Sequence, residues 1–269
     1  MVKKLFKHEF LAYARVMSII YIILLTVAAA TRVIFIFESD TVAYDIVSTI
    51  SLITYCVSVF AALGFSFVMG VVRFYKNLFT SEGYLSFTLP VTASQHIAVK
   101  LVTAVSMNLL TWVMVLLSVC VVTAGELLVE IWKALGFLLD KLYELTGIQS
   151  VLIGGEFALL LLVASFTSVL LYYTFISIGQ LFKKNRILAA VGAYFVYYIL
   201  TQIVSTVLSV FLSLFAATGA FEEIGLWIAG HPYETVHIAL GGFILLEAIF
   251  AVIEFIVVRL IITKKLNLE

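Results

Sequence analysis

Glu247 and Glu254 are the acids of this sequence that interrupt an apolar run, Ile238 to Ile262, and they stand seven residues apart. That spacing puts them on one face of a helix, where a bare carboxylate inside a membrane would be costly. Three readings are open: a pair neutralised or hydrogen-bonded within a bundle, a wall of a wet cavity, or a proton-coupled element. No relay of further acids or histidines lies nearby, which favours the first. Histidines and carboxylates also gather between Thr218 and His237, a stretch containing Glu222, Glu223, His231, Glu234 and His237. His231 and His237 are six apart with Pro232 between them, so they do not share a helical face and no metal is assigned. Cys56 and Cys120 lie deep in apolar runs and read as small buried side chains, with neither disulfide nor metal. Asn108 and Gln202 read as hydrogen-bonding groups between helices.

Composition sets the class of element that must position these groups. Of 269 residues, 64% are hydrophobic, 12% are charged and two are proline, a balance foreign to water-soluble domains of this size. The expectation is an all-α integral membrane protein, a single transmembrane domain over residues 1–269. A formal net charge of zero gives no global attraction to nucleic acid. A span needs about 20 apolar residues, and six runs qualify: Val16 to Phe37, Ile46 to Val72, Ile97 to Ala124, Phe157 to Leu181, Ile187 to Ala217 and Ile238 to Ile262. With the amino terminus inside, Lys3, Lys4, Lys7, Arg15, Arg73, Lys76, Lys100, Lys183, Lys184, Arg186, Arg259, Lys264 and Lys265 fall on the cytoplasmic side. Arg32, Lys133 and Lys141 fall toward the outside. The excess of positive charge places both termini in the cytoplasm. The first span is expected to serve as its own insertion signal, since no cleavable leader is evident.

Shorter elements surround the spans. Val2, Leu5, Phe6, Phe10 and Tyr13 recur at helical spacing opposite Lys3, Lys4, Lys7 and His8, predicting an interfacial helix with its lysines among anionic lipid head groups. A frayed basic terminus is the alternative. Between Gly125 and Glu156, Leu128, Ile131, Leu135, Leu138, Leu142 and Leu145 form a helical stripe after Thr123 and Glu126, which have capping-box spacing. This outer amphipathic helix lies on the leaflet, covers a pathway mouth, or packs on protein. The half-polar stretch Thr218 to His237 fits short re-entrant helices. Thr54, Ser58, Ala62, Ser66 and Gly70, each four residues on, form a small-residue ridge for close helix packing, within one protomer or at a dimer seam.

The connection from Arg73 to Val91, RFYKNLFTSEGYLSFTLPV, is unusually apolar for an inner loop. Exposed apolar surface there marks a docking site. Thr80 or Ser81 followed by Glu82 would cap a short helix that Thr88 and Pro90 end, and Thr92 with Gln95 has the spacing to start the next span. Over Arg73 to Lys100, RFYKNLFTSEGYLSFTLPVTASQHIAVK, the chain resembles the first cytoplasmic loop of permease subunits in the ABC type-2 membrane family, especially the small six-span exporters common in Firmicutes. The plan of the whole chain is also similar: amphipathic amino terminus, six spans, a coupling loop between spans two and three, and a partly apolar outer connection before span six.

The resemblance implies a coupling helix that inserts into a cleft of a nucleotide-binding ATPase subunit, with Phe79, Ser81, Glu82, Gly83, Tyr84, Leu85 and Phe87 as the contact set. It implies a second permease copy or a related permease, two ATPase subunits that bind ATP and Mg, and alternating access in a bacterial cytoplasmic membrane. No GxxxxGK(S/T) phosphate loop occurs in the chain, so no nucleotide cofactor is expected in it and hydrolysis belongs to the partner. Aromatics in spans four and five, including Phe166, Tyr172, Tyr173, Phe175, Tyr194 and Tyr198, suit an amphipathic or hydrophobic cargo such as a peptide, antimicrobial compound or lipid; core packing is their commoner use. Two rivals stand beside the permease. One is a membrane anchor or regulator that holds a soluble partner through the Arg73 to Val91 loop. The other is an intramembrane protease of the CAAX-processing kind, invited by Glu222-Glu223. Its EExxxR pattern needs arginine where this chain has Trp227, and no intramembrane histidine accompanies the pair.

Overall fold

A computed structural model describes residues 2–80, 83, 88, 90–146, 149–182 and 184–264, and helix is the only regular structure among them. The helices are α1 (Val2–Ile36), α2 (Val42–Phe79), α3 (Ala93–Val122), α4 (Glu126–Thr146), α5 (Gln149–Gly179), α6 (Arg186–Ala217), α7 (Ala220–Gly230) and α8 (Pro232–Lys264). By length and composition, α1, α2, α3, α5 from Ser150 and α6 are apolar enough to cross a membrane, the set expected of a multi-pass membrane protein. The chain divides into two compact units, Met1–Lys141 and Leu142–Glu269.

In the first unit α1, α2 and α3 pack on one another. The expected interfacial segment is not a separate element: α1 runs 35 residues without a break, because neither glycine nor proline falls in it. At 1.5 Å per residue it is about 52 Å long, so its basic first turns extend past a hydrocarbon core of about 30 Å. Thr41 caps α2, accepting from the Tyr44 N–H at 3.3 Å. Instead of ending near Val72, α2 continues to Phe79, with Phe74, Leu78 and Phe79 buried. Thr92 and Gln95 form the predicted capping box at the start of α3.

The box predicted for Thr123 and Glu126 does not form. The Thr123 hydroxyl donates to the Val119 carbonyl at 3.0 Å, closing α3. Ala124 and Gly125 then turn the chain with left-handed φ of 51° and 82°. A hydroxyl at a helix C-terminus finds a nearer acceptor in the last free carbonyls than in the next helix. Along α4, Leu128, Ile131, Leu135 and Leu138 are all exposed.

The core of the first unit explains the small-residue ridge. Ala62, Ser66 and Gly70 are buried, whereas Thr54 is exposed and Tyr55 turns inward in its place. Ala62 sits in a cluster with Leu24, Ala28, Tyr55, Val115 and Val122. Tyr13, Met17, Tyr21 and Met107 form a second cluster nearer the amino end of α1.

In the second unit α5 packs against α8 and α6, with Val169, Leu170, Tyr173, Ile176, Val258 and Ile262 buried. α6 buries no residue and meets α5 near their joining turn. There Phe175 contacts Tyr194 edge-on at 5.6 Å and Tyr197 at 5.4 Å. Gly179 permits the approach, since a Cβ added to it would stand 2.6 Å from the Arg186 carbonyl oxygen. Asn185 takes a left-handed φ of 54° just before α6 starts, a conformation asparagine tolerates better than most residues. α7 is the short helix that the described residues form between Thr218 and His237.

Two outcomes test this packing. Ala62→Leu should lower the stability of the first unit by about 1–3 kcal/mol, against about 0.6 kcal/mol for Tyr21→Phe, measured by SDS-driven unfolding in mixed micelles; equal effects would contradict close packing at Ala62. Gly179→Ala should speed protease cleavage between residues 180 and 186, because the clash is with backbone and only separation of α5 and α6 relieves it.

Candidate functional site

The charged cluster at the amino end of α1 centres on Glu9. Arg73 and Asn77, four residues apart on α2 and so on one face, reach it from one side, and Lys100, two turns into α3, reaches it from another. The Arg73 Nη2 donates to Glu9 Oε2 at 2.7 Å, the Lys100 Nζ to Oε1 at 2.9 Å, and the Asn77 Nδ2 to Oε1 at 3.0 Å. The side chains of Glu9, Lys100 and Arg73 are 12%, 6% and 20% exposed. These are therefore largely desolvated ion pairs, in which loss of one partner is far more costly than on an open surface. The Arg73 guanidinium also lies 5.8 Å from the centre of the Tyr13 ring, one turn along α1 from Glu9.

From there a ladder of hydroxyls and one amide runs deeper. The Tyr13 hydroxyl donates to the Ser66 carbonyl, the Ser66 hydroxyl to Asn108 Oδ1 at 2.8 Å, and the Thr111 hydroxyl to Ser66 Oγ at 3.1 Å. Tyr21 and Thr111 share a hydrogen bond of 2.7 Å. Asn108 thus fills the interhelical role read from its type. Gln202 does not: its contacts are with Tyr198 and Ser205 of its own helix, because α6 exposes this face.

Burial is the largest influence on the Glu9 carboxyl and acts to raise its pKa. The Lys100 charge, the hydrogen bonds from Arg73 and Lys100, and the Arg73 charge together outweigh it and hold the pKa below 4.5. Glu9 precedes the apolar run that begins at Val16.

The predicted contact set lies just beyond Arg73 and Asn77. Phe79 is buried, edge-on to Phe74 at 5.6 Å, and so serves the packing of the unit. Gly83 is buried, and its N–H donates to the Thr80 carbonyl at 2.8 Å. The Thr80 hydroxyl donates back to the Lys76 carbonyl, closing α2. Ser81, Glu82, Tyr84, Leu85 and Phe87, with the predicted coupling helix they compose, lie outside the described residues.

Glu247 and Glu254 are in the second unit, on α8. Glu254 is 8% exposed and its Oε2 has no hydrogen-bond partner among the described residues. Glu247 is half-buried, and its carbonyl accepts from the Thr167 hydroxyl of α5 at 3.2 Å. A second pairing on the same two helices has no local signal in the sequence: His237 Nδ1 lies 2.5 Å from Glu156 Oε1, across 81 residues of chain. His231 stacks on Trp227 at 5.0 Å instead, so the two histidines point to different partners. Among the described residues no group of three or more histidine, cysteine or acidic side chains converges as a metal site.

The fold and composition define a multi-pass helical membrane protein. Compared with protein-family models, curated proteins and solved structures, the chain has no match in any of the three.

Because the folded carboxyl of Glu9 ionises below 4.5, its contribution to stability is complete above that value and disappears as the pH falls through the lower, folded one. Wild type should therefore lose stability on acidification below about pH 4.5, while Glu9→Gln, already weakened by roughly 3 kcal/mol at pH 7, should lack that component. Unfolding curves in mixed micelles across the acid range check this, and parallel pH dependences would remove Glu9 from the account.

Proposed function

We propose that the chain is the permease subunit of an ATP-binding cassette exporter of the ABC type-2 membrane kind. The observation that carries the reading is the Glu9 cluster: Arg73 and Asn77 precede the α2–α3 connection and Lys100 follows it, so one carboxylate on α1 holds both roots of the segment resembling a coupling loop. A connection that merely joined two helices would need no such fixture. A loop that receives a partner's thrust needs rigid roots.

On this reading α8 is the sixth span, both termini are cytoplasmic, and the protein resides in a bacterial cytoplasmic membrane. Hydrolysis of ATP with Mg belongs to a separate ATPase subunit, which grips the loop through Tyr84, Leu85 and Phe87. A second permease copy or a related chain completes the pathway. Cargo is amphipathic or hydrophobic, and the cycle is alternating access, with closure of the ATPase shifting the pathway between its two openings.

The test is co-purification in mild detergent with an ATP-binding cassette subunit from the same genome. A variant combining Tyr84→Ala, Leu85→Ala and Phe87→Ala should insert normally yet retain at least about tenfold less ATPase than wild type, the scale of losing interface anchors. Wild type that retains no ATPase in any detergent or lipid would overturn the permease reading in favour of an anchor or regulator.

A further inference from the structure

We infer that Glu9 is a positioning residue that makes the amino end of α1 a moving part of the α2–α3 connection, so that a partner acting on the connection also displaces α1. The functional half of this inference rests on the permease reading above; the mechanical half stands on the geometry alone.

Three features of the cluster carry it. First, the donors come from both neighbouring helices and occupy both oxygens of one carboxylate: Arg73 takes Oε2, Lys100 and Asn77 take Oε1. A carboxylate offers about four acceptor sites, so three charged or amide donors hold its position as well as its charge. Second, the helix ends around it are packed, not frayed. Phe74 and Leu78 beside Arg73 and Asn77 are fully buried, as is Ile97 one turn before Lys100. A displacement of either root therefore travels as a rigid body and meets α1 at Glu9. Third, the cluster has a continuation. Arg73 faces Tyr13, whose hydroxyl holds the Ser66 carbonyl, and the Ser66 hydroxyl accepts from Thr111, which also meets Tyr21. Motion imposed on the connection thus enters α1 at two levels, at Glu9 and again at Tyr13 and Tyr21, along the direction of the bundle. A tie made only of exposed lysines would give way first, since open surface pairs hold weakly.

Alternative roles for the amino-terminal segment make a different forecast. A segment that only binds head groups through Lys3, Lys4 and Lys7 would be insensitive to the carboxylate of Glu9 and indifferent to what happens on α2 and α3.

The experiment uses the full chain in lipid nanodiscs, alone and co-expressed with the ATP-binding cassette subunit, with Glu9→Gln, Arg73→Gln and Lys4→Gln. In the chain alone, hydrogen exchange should rise at least about tenfold in Glu9→Gln, simultaneously in residues 2–15, 73–79 and 94–100. Arg73→Gln should loosen the first two segments more than the third, and it serves as the second variant if Glu9→Gln folds poorly. Lys4→Gln should change none of them. In the complex, Glu9→Gln should retain the ATPase at wild-type yield, while the change in ATP hydrolysis that the wild-type chain imposes on its partner falls several-fold. Exchange that rises only in residues 2–15 overturns the inference, and so does an unaltered hydrolysis response in a variant whose three segments have loosened. If wild type captures no ATPase, the permease reading fails by itself, and the exchange data still decide whether Glu9 ties the three helices together.

Discussion

A carboxylate that leaves water must meet its compensating charges in the same place, and in this chain that requirement falls on Glu9. Three residues on two helices, 64, 68 and 91 positions away, supply the donors. Two unit charges about 4 Å apart gain about 4 kcal/mol in the partly screened interior of a protein, a gain that desolvation largely offsets for any one pair. The geometry survives because the amide of Asn77 and two cations converge together. Much else in the first unit follows from that convergence: α2 must stay helical two turns beyond its apolar run to bring Arg73 and Asn77 within reach, and α3 must start early enough to bring Lys100. The capping box at Thr92 fixes that start.

These dependencies explain what could be read from the sequence. Helix extents were legible wherever a local signal set them, as at Thr92 with Gln95, or at Arg186, where α6 begins within a residue of the predicted span. Asn108 was legible from its type, because a buried amide in an apolar helix has few alternatives to a partner on its neighbour. Glu9 was not. In the sequence it is one acid within a basic amphipathic turn, and nothing local distinguishes a solvated charge from the centre of a cluster. For the same reason α2 was expected to end too soon, since Arg73 and Lys76 end an apolar run but do not end a helix.

The second unit follows another logic. α5 and α8 bury the side chains between them, and α6 leans on α5 only around Gly179 and the ring of Phe175. The exposed remainder of α6 is apolar with interspersed hydroxyls, and those hydroxyls turn back on their own helix: Ser209 donates to the Thr206 carbonyl and Ser213 to the Ser209 carbonyl. Such back-bonding lets a polar residue stand on an apolar surface without an orphaned donor. Gln202 belongs with them, satisfied by Tyr198 and Ser205, and this is why its type misled.

Depth orders the polar contacts of the first unit, and the order has a physical cause. Glu9, Arg73 and Lys100 stand at the basic end of α1, where helices longer than a bilayer is thick emerge from it. One turn inward the contacts involve a phenol and a carbonyl, at Tyr13 and Ser66. Further in they are pairs of hydroxyls: Tyr21 with Thr111, Tyr55 with Ser118, and Ser51 with Thr31. A full charge in hydrocarbon costs several times what a hydroxyl does, so the polarity of the interhelical contacts must fall with depth if the bundle is to hold together. The hydroxyls also carry their own insurance. Ser118 and Thr31 each donate to a carbonyl three or four residues back, so separating the helices would leave those donors still bonded. Each contact of this kind contributes little, so the charged tie at Glu9 adds most of the polar attraction that holds the basic ends of α1, α2 and α3 in register.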